Sequence, residues 1–86
     1  MEYSRNNQFL KAFGLHLQKV RSLQGFSQAQ LAADCNMEIS QISRIERGLL
    51  NTGISQIYTI SESLGIESSE LFKFKIADYV SKKTSL

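Results

Sequence analysis

The sequence predicts an all-α fold, five helices in one small domain with a short C-terminal extension. Three observations carry that expectation. Apolar residues recur at three- and four-residue intervals through most of the chain, which is the period of a buried helix face. Start and stop signals fall between those stretches: Ser27 and Gln30 have capping-box spacing, and Gly25, Gly48 and Gly65 follow the last periodic residues. Period-two alternation, the mark of a half-buried strand, occurs only at residues 72–76 (FKFKI), where helix is favoured over a short strand because Ile76, Tyr79 and Val80 continue a helical spacing.

Taken in order, residues 1–7 are polar and read as a flexible arm, with Arg5 placed to reach a phosphate. From about Gln8 to Gln24, Leu10, Phe13, Leu17, Val20 and Leu23 define a first helix that Gly25 ends. Phe26 precedes the Ser27 cap, where a hydrophobic staple onto Leu31 would fix the chain direction. Leu31, Ala32 and Cys35 give a short second helix its apolar face; Ile42, Ile45 and the carbon stem of Glu46 do so for a third, opening near Glu38 and closing at Gly48. Residues 49–52 form a loop. Ile54, Ile57, Ile60 or Ser61, and Leu64 mark a fourth helix, and Ser68 or Ser69 caps a fifth containing Glu70, Leu71, Phe72 and Phe74.

At 86 residues the chain has room for one domain with a small core, so tight helix packing or a partner chain is expected to help hold it. A hydrophobic share of 42% with 21% charged residues is ordinary for a globular protein. No apolar run is long enough to span a bilayer and the first residues lack a signal peptide's apolar core, so the expected location is cytoplasmic, without membrane contact. One cysteine excludes an internal disulfide. Cys35 and His16 have neither a second histidine nor an orienting acid at sensible spacing, Cys35 reads as a core residue, and His16 reads as lying on the polar side of its helix. No ligand set for a metal is visible, so no enzyme, cofactor or metal site is expected. The net charge of +2 is compatible with a polyanionic partner without requiring one.

Residues 27–48, SQAQLAADCNMEISQISRIERG, are the informative stretch. The outer face of the third helix carries Ser40, Gln41, Ser43, Arg44 and Arg47, a donor-rich set with two cations. Two short helices across a brief turn, the second with such a face, is the arrangement that places a helix in the DNA major groove. The stretch resembles the helix-turn-helix of the lambda repressor and Cro superfamily, in its compact bacterial, xenobiotic-response-element-like form. The matching residues are Gly25, Ser27, Gln28, Leu31, Ala32, Ile42, Ser43, Ile45, Glu46, Arg47 and Gly48, and the likeness continues through Leu64, Gly65 and Ile66 and through Glu70, Leu71 and Phe72. It spans roughly residues 9–74. The implied organisation is an arm at 1–7, a domain at 8–74 with its helix-turn-helix at 27–47, and an extension at 75–86.

The resemblance implies roles for individual residues. Arg44 would read a base, its planar fork matching guanine O6 and N7, against the alternative of a solvated surface arginine. Ile39, Ser40 and Gln41 would also face base edges, Ile39 on a thymine methyl or, equally, in the core. Gln28, at a helix start, would grip a phosphate together with Ser43 and Arg47. Lys19 and Lys11 read as scattered surface charge. Glu46 falls on the apolar side of its helix, and Arg21 stands where the family places its partner, implying an ion pair between the first and third helices. Phe72, Phe74, Ile76, Tyr79 and Val80 exceed what a five-helix core needs and are candidates for a dimer surface.

Departures from the family are Thr52 where many members carry Pro, Leu49 and Leu50 where a basic or polar pair is common, and Glu38 at a position usually taken by Ser or Thr. Together these readings imply a sequence-specific regulator of transcription, expected to repress, that binds double-stranded DNA as a homodimer on a pseudo-palindromic operator. Two alternatives stand beside it: an antitoxin-like module whose main contact is a protein partner, and a restriction-modification controller of the same size. A scaffold that has lost DNA binding is a third.

Overall fold

Asn6 caps the first helix by accepting the Phe9 amide on its side-chain oxygen at 2.8 Å, and α1 spans Asn7–Leu23. The computed structural model describes residues 6–80; Arg5 and the rest of the expected arm before Asn6 lie outside it. Asn6 and Asn7, read as the end of that arm, are the N-cap and the first residue of α1. Ser27 and Gln30 do form the capping box, with Ser27 Oγ accepting the Gln30 amide at 3.0 Å and Gln30 Oε1 accepting the Ser27 amide at 2.8 Å. This fixes the start of α2, Gln28–Cys35. A three-residue turn follows, with Asn36 in the left-handed region (φ 56°), and α3 occupies Ile39–Glu46. After the loop come α4, Ile54–Leu64, a 3-10 turn at Ser68–Phe72, and the one-turn α5, Ile76–Tyr79. Among the described residues every regular element is helical.

The core is built where the helix faces meet. Phe13 and Leu17 of α1, Leu31, Ala32 and Cys35 of α2, Ile42 and Ile45 of α3, Ile57, Ile60 and Leu64 of α4, and Leu71 form one buried cluster. Phe26 and Val20 pack on it as partly buried residues. α3 lies against both α1 and α2, and α4 lies against α2 and the 3-10 turn. α3 is thus held from behind by two elements and left open in front.

Four expectations need correction. Leu23 and Ile54, read as face residues, are 74% and 86% exposed, standing at the last position of α1 and the first of α4. The expected fifth helix at Ser68 or Ser69 is a single 3-10 turn, and neither serine is its N-cap; Ser68 Oγ is bonded instead to the buried Ser61 Oγ at 2.9 Å. His16 is not on the polar side: it is buried, with Nδ1 2.8 Å from the Tyr79 hydroxyl and Nε2 2.9 Å from the Glu70 carbonyl oxygen. A carbonyl only accepts, so Nε2 carries the proton in this bond.

Residues 76–79 adopt the favoured helix, and FKFKI forms no strand: Phe72 closes the 3-10 turn, residues 73–75 are irregular and Ile76 opens α5. Phe74 and Tyr79 turn back onto α1, Phe74 stacking at 5.6 Å from Phe9 and 5.2 Å from His16, and Tyr79 at 5.6 Å from His16. These aromatic pairs, in the tilted and edge-on geometries that ring quadrupoles favour, dock the C-terminal segment on its own chain. Phe72 also lies 5.2 Å from the Phe13 ring, so three of the five residues nominated for a dimer surface make internal ring contacts, Phe72 keeping 48% of its surface exposed.

Candidate nucleic-acid interface

An α-helix presents residues four apart on one face, so Ser40 and Arg44 emerge together from α3. Both are exposed, and neither side chain makes a hydrogen bond among the described residues. Ile39, at the first position of α3, is 49% exposed, which decides against a core role. Gln41 is half-buried and its side-chain oxygen accepts the Glu38 amide at 3.1 Å, so it is partly occupied in starting the helix. Glu38 takes the N-cap place that the resemblance gives to Ser or Thr. The buried faces of the same helix, Ile42, Ile45 and Glu46, look the other way.

Glu46 is the anchor of this geometry. It is 3% exposed and accepts Arg21 Nε at 2.6 Å and Arg21 Nη2 at 3.0 Å, a bidentate pair between α1 and α3. Arg21 Nη1 also donates to the Phe26 carbonyl at 2.8 Å, which ties the α1–α2 corner into the same network. The ion pair implied by the resemblance is present, and every buried side-chain polar atom among the described residues has a partner. Gln28 joins it by donating Nε2 to Glu46 Oε1 at 2.8 Å. Its side chain thus buttresses the ion pair, and what it presents outward for an anion is the helix-start backbone.

Gln28, Ser43 and Arg47 do come together. With Lys11, Gln18 and Glu46 they line a cleft of about 290 Å³ between α1 and the ends of α2 and α3. Arg47 Nε donates to Ser43 Oγ at 3.2 Å, fixing the guanidinium at the cleft wall. Sequence reasoning missed two residues that build this site. Lys11, read as scattered charge, stands in the cleft beside Arg47. Gly14 lies where α1 crosses the end of α3 so closely that an added Cβ would overlap the Ile45 and Glu46 carbonyl oxygens. A glycine inside a strongly periodic helix was the available signal, since it lowers helix stability unless packing demands it. Gly48, with φ 75°, meets α1 equally closely: a Cβ there would stand 2.7 Å from Lys11 Cα.

A three-residue turn between two short helices, a buried ion pair setting the angle of the second and an exposed polar stripe along it agree with the comparisons. The helix-turn-helix family pattern matches residues 17–71. The chain belongs to the helix-turn-helix family. This helix-turn-helix protein is 36% identical over 63 residues to the control protein C.BamHI of Bacillus amyloliquefaciens, a match covering 72% of this chain and 78% of that one. Its structure is similar to that of the restriction-modification controller protein C.AhdI from Aeromonas hydrophila, with a TM-score of 0.73 and 34% identity over 74% of this chain and 97% of the other. It is also similar to the wild-type restriction-modification controller protein C.Esp1396I, with a TM-score of 0.68 and 28% identity over 74% of this chain and 84% of the other. The lambda repressor and Cro-like resemblance and the all-helical fold are thereby shown, and DNA-binding regulation of transcription is the function this helix-turn-helix carries. Among the described residues no group of three or more His, Cys, Asp or Glu is placed to hold a metal, and no helix is long and apolar enough to cross a membrane.

Proposed function

We propose that the protein is a dimeric, sequence-specific regulator of the restriction-modification controller type, each protomer laying α3 in the major groove of one half of a pseudo-palindromic operator. The supporting observation is the open stripe of Ile39, Ser40 and Arg44 on a helix whose other side is locked by Arg21, Glu46 and Gln28. Ile39 meets a thymine methyl, Ser40 a polar base edge, and Arg44 the two acceptors of a guanine. Gln28, Ser43 and Arg47 set register on phosphates. The controller reading follows the names of C.BamHI and C.AhdI, both matched over most of their length.

Arg44→Ala tests base reading. Selection from a random duplex pool first supplies the preferred site; on that site the variant is expected to lose about 1–3 kcal/mol and to relax preference at one base position. Equal losses on selected and random duplex, measured by fluorescence anisotropy at fixed salt, would remove Arg44 from the readers.

The dimer surface is proposed to centre on Phe72, with Ile54, Tyr58 and Phe9 around it. These are exposed apolar side chains, and the two adjoining grooves under them contain no charged residue. Contiguous apolar surface of this kind marks an association site. Phe72 belongs to the surface nominated from sequence; Ile76 and Val80 are half-buried at its C-terminal side of the chain, and Phe74 and Tyr79 support it from within. Ile54→Glu is expected to leave the fold intact and to shift the sedimentation coefficient to that of a monomer. An unchanged dimer would place the interface elsewhere.

A further inference from the structure

We propose that Lys11 is a phosphate-binding residue, and that with Arg47 it holds two neighbouring phosphates of one DNA strand in the adjoining clefts on either side of the pair. The inference rests on the DNA reading above and extends it to α1. The first cleft is the one lined by Gln28, Ser43 and Arg47, and Lys11 stands in it. The second, about 390 Å³, lies across the end of α3 and is lined by Asn7, Lys11, Arg47, Gly48 and Leu49. Lys11 and Arg47 are the residues common to both, so two cations form the ridge between two openings.

The carboxylate in this lining is Glu46, and it is already occupied by two donors from Arg21 and one from Gln28. The field at the ridge is consequently that of uncompensated positive charge, the condition for displacing condensed counterions from a duplex. Lys11 reaches the ridge because Gly48 has no side chain: the Lys11 backbone rests against it, which carries the first turns of α1 to the end of the recognition helix. By contrast Lys73 is held by Glu70 at 2.9 Å on the 3-10 turn and enters neither cleft.

The test is the salt dependence of binding to one fixed duplex, followed by fluorescence anisotropy across a potassium chloride series. Lys11→Gln and Arg47→Gln are each expected to lower the slope of log K against log salt by about 0.9, and the double variant by about 1.8. Lys73→Gln, which makes the same change in net charge, is expected to leave the slope as it is. Exposure of all three side chains keeps the fold out of the comparison, and circular dichroism confirms it for each variant. An unchanged slope for Lys11→Gln, or an equal fall for Lys73→Gln, overturns the role of Lys11. A fall of only about 0.9 in the double variant overturns the two-phosphate arrangement, because the cations would then share one phosphate. A flat slope in the wild-type protein overturns the DNA reading itself, and is recognised as such before any variant is compared.

Discussion

Glu46→Ala is expected to lower unfolding stability by about 3–5 kcal/mol, a large part of what a domain of this size possesses. The loss arises less from the attraction removed than from what remains. Arg21 is 8% exposed and would keep only its bond to the Phe26 carbonyl, leaving a cation inside the domain without its counter-charge, and the Gln28 amide would lose its acceptor. Removing both charges together with an isosteric apolar pair, Arg21→Met with Glu46→Leu, is expected to recover most of the loss, since the cost of desolvating two ions disappears with them. Urea denaturation of Glu46→Ala and of the double variant measures this directly. If Glu46→Ala shifts the midpoint by less than the equivalent of about 1 kcal/mol, the pair is not the clasp between α1 and α3. The double variant separates fold from function further: stability returns while the Gln28 amide has lost its acceptor on Glu46, so DNA affinity is expected to stay below wild type.

Gly14→Ala is expected to destabilise the protein although helix propensity alone predicts the reverse. In the interior of α1 the exchange would gain about 1 kcal/mol by propensity. The new methyl group would, however, overlap the carbonyl oxygens of Ile45 and Glu46, which are backbone atoms at the end of α3 and are themselves fixed by the ion pair. Relieving that overlap means pushing α1 away from the recognition helix, and overpacking of this kind costs typically about 1–3 kcal/mol, occasionally more. Thermal melts followed at 222 nm give the sign. A rise in Tm would show that α1 can move off α3 without penalty and that the close crossing does not position the recognition helix.

These two residues also show the division between what the chain announces and what folding decides. Ser27 and Gln30 are three residues apart, and their reciprocal bonds depend only on that spacing, so the start of α2 was legible. Leu31, Ala32, Cys35, Ile42 and Ile45 repeat at helix period and all five are buried. The face of α3 bearing Ser40 and Arg44 followed from the same periodicity, because fixing one side of an eight-residue helix fixes the other. Arg21 and Glu46 were paired only through resemblance to a family: 25 residues separate them and no local rule connects them.

Where local rules stop, the misreadings begin. His16 looked polar-facing because the element that covers it, the Tyr79 and Phe74 segment, returns to α1 from 63 residues away. Ile54 looked buried by spacing, yet as the first residue of α4 it is 86% exposed while Ile57, in the same turn, enters the core. Phe74 and Tyr79 looked surplus because an apolar residue carries no sign of whether its partner lies in the same chain or in another.

The sequence by itself determined the first four helices, the Ser27 cap and the outward stripe of α3, since those depend on interactions within a few residues. Only the tertiary structure decided that Gly14 and Gly48 admit α1 against α3, that Gln28 supports Glu46, and that Lys11 stands beside Arg47. The physical reason is that these are contacts between elements distant in sequence, set by how closely two backbones approach, and that distance is written in no single stretch of the chain.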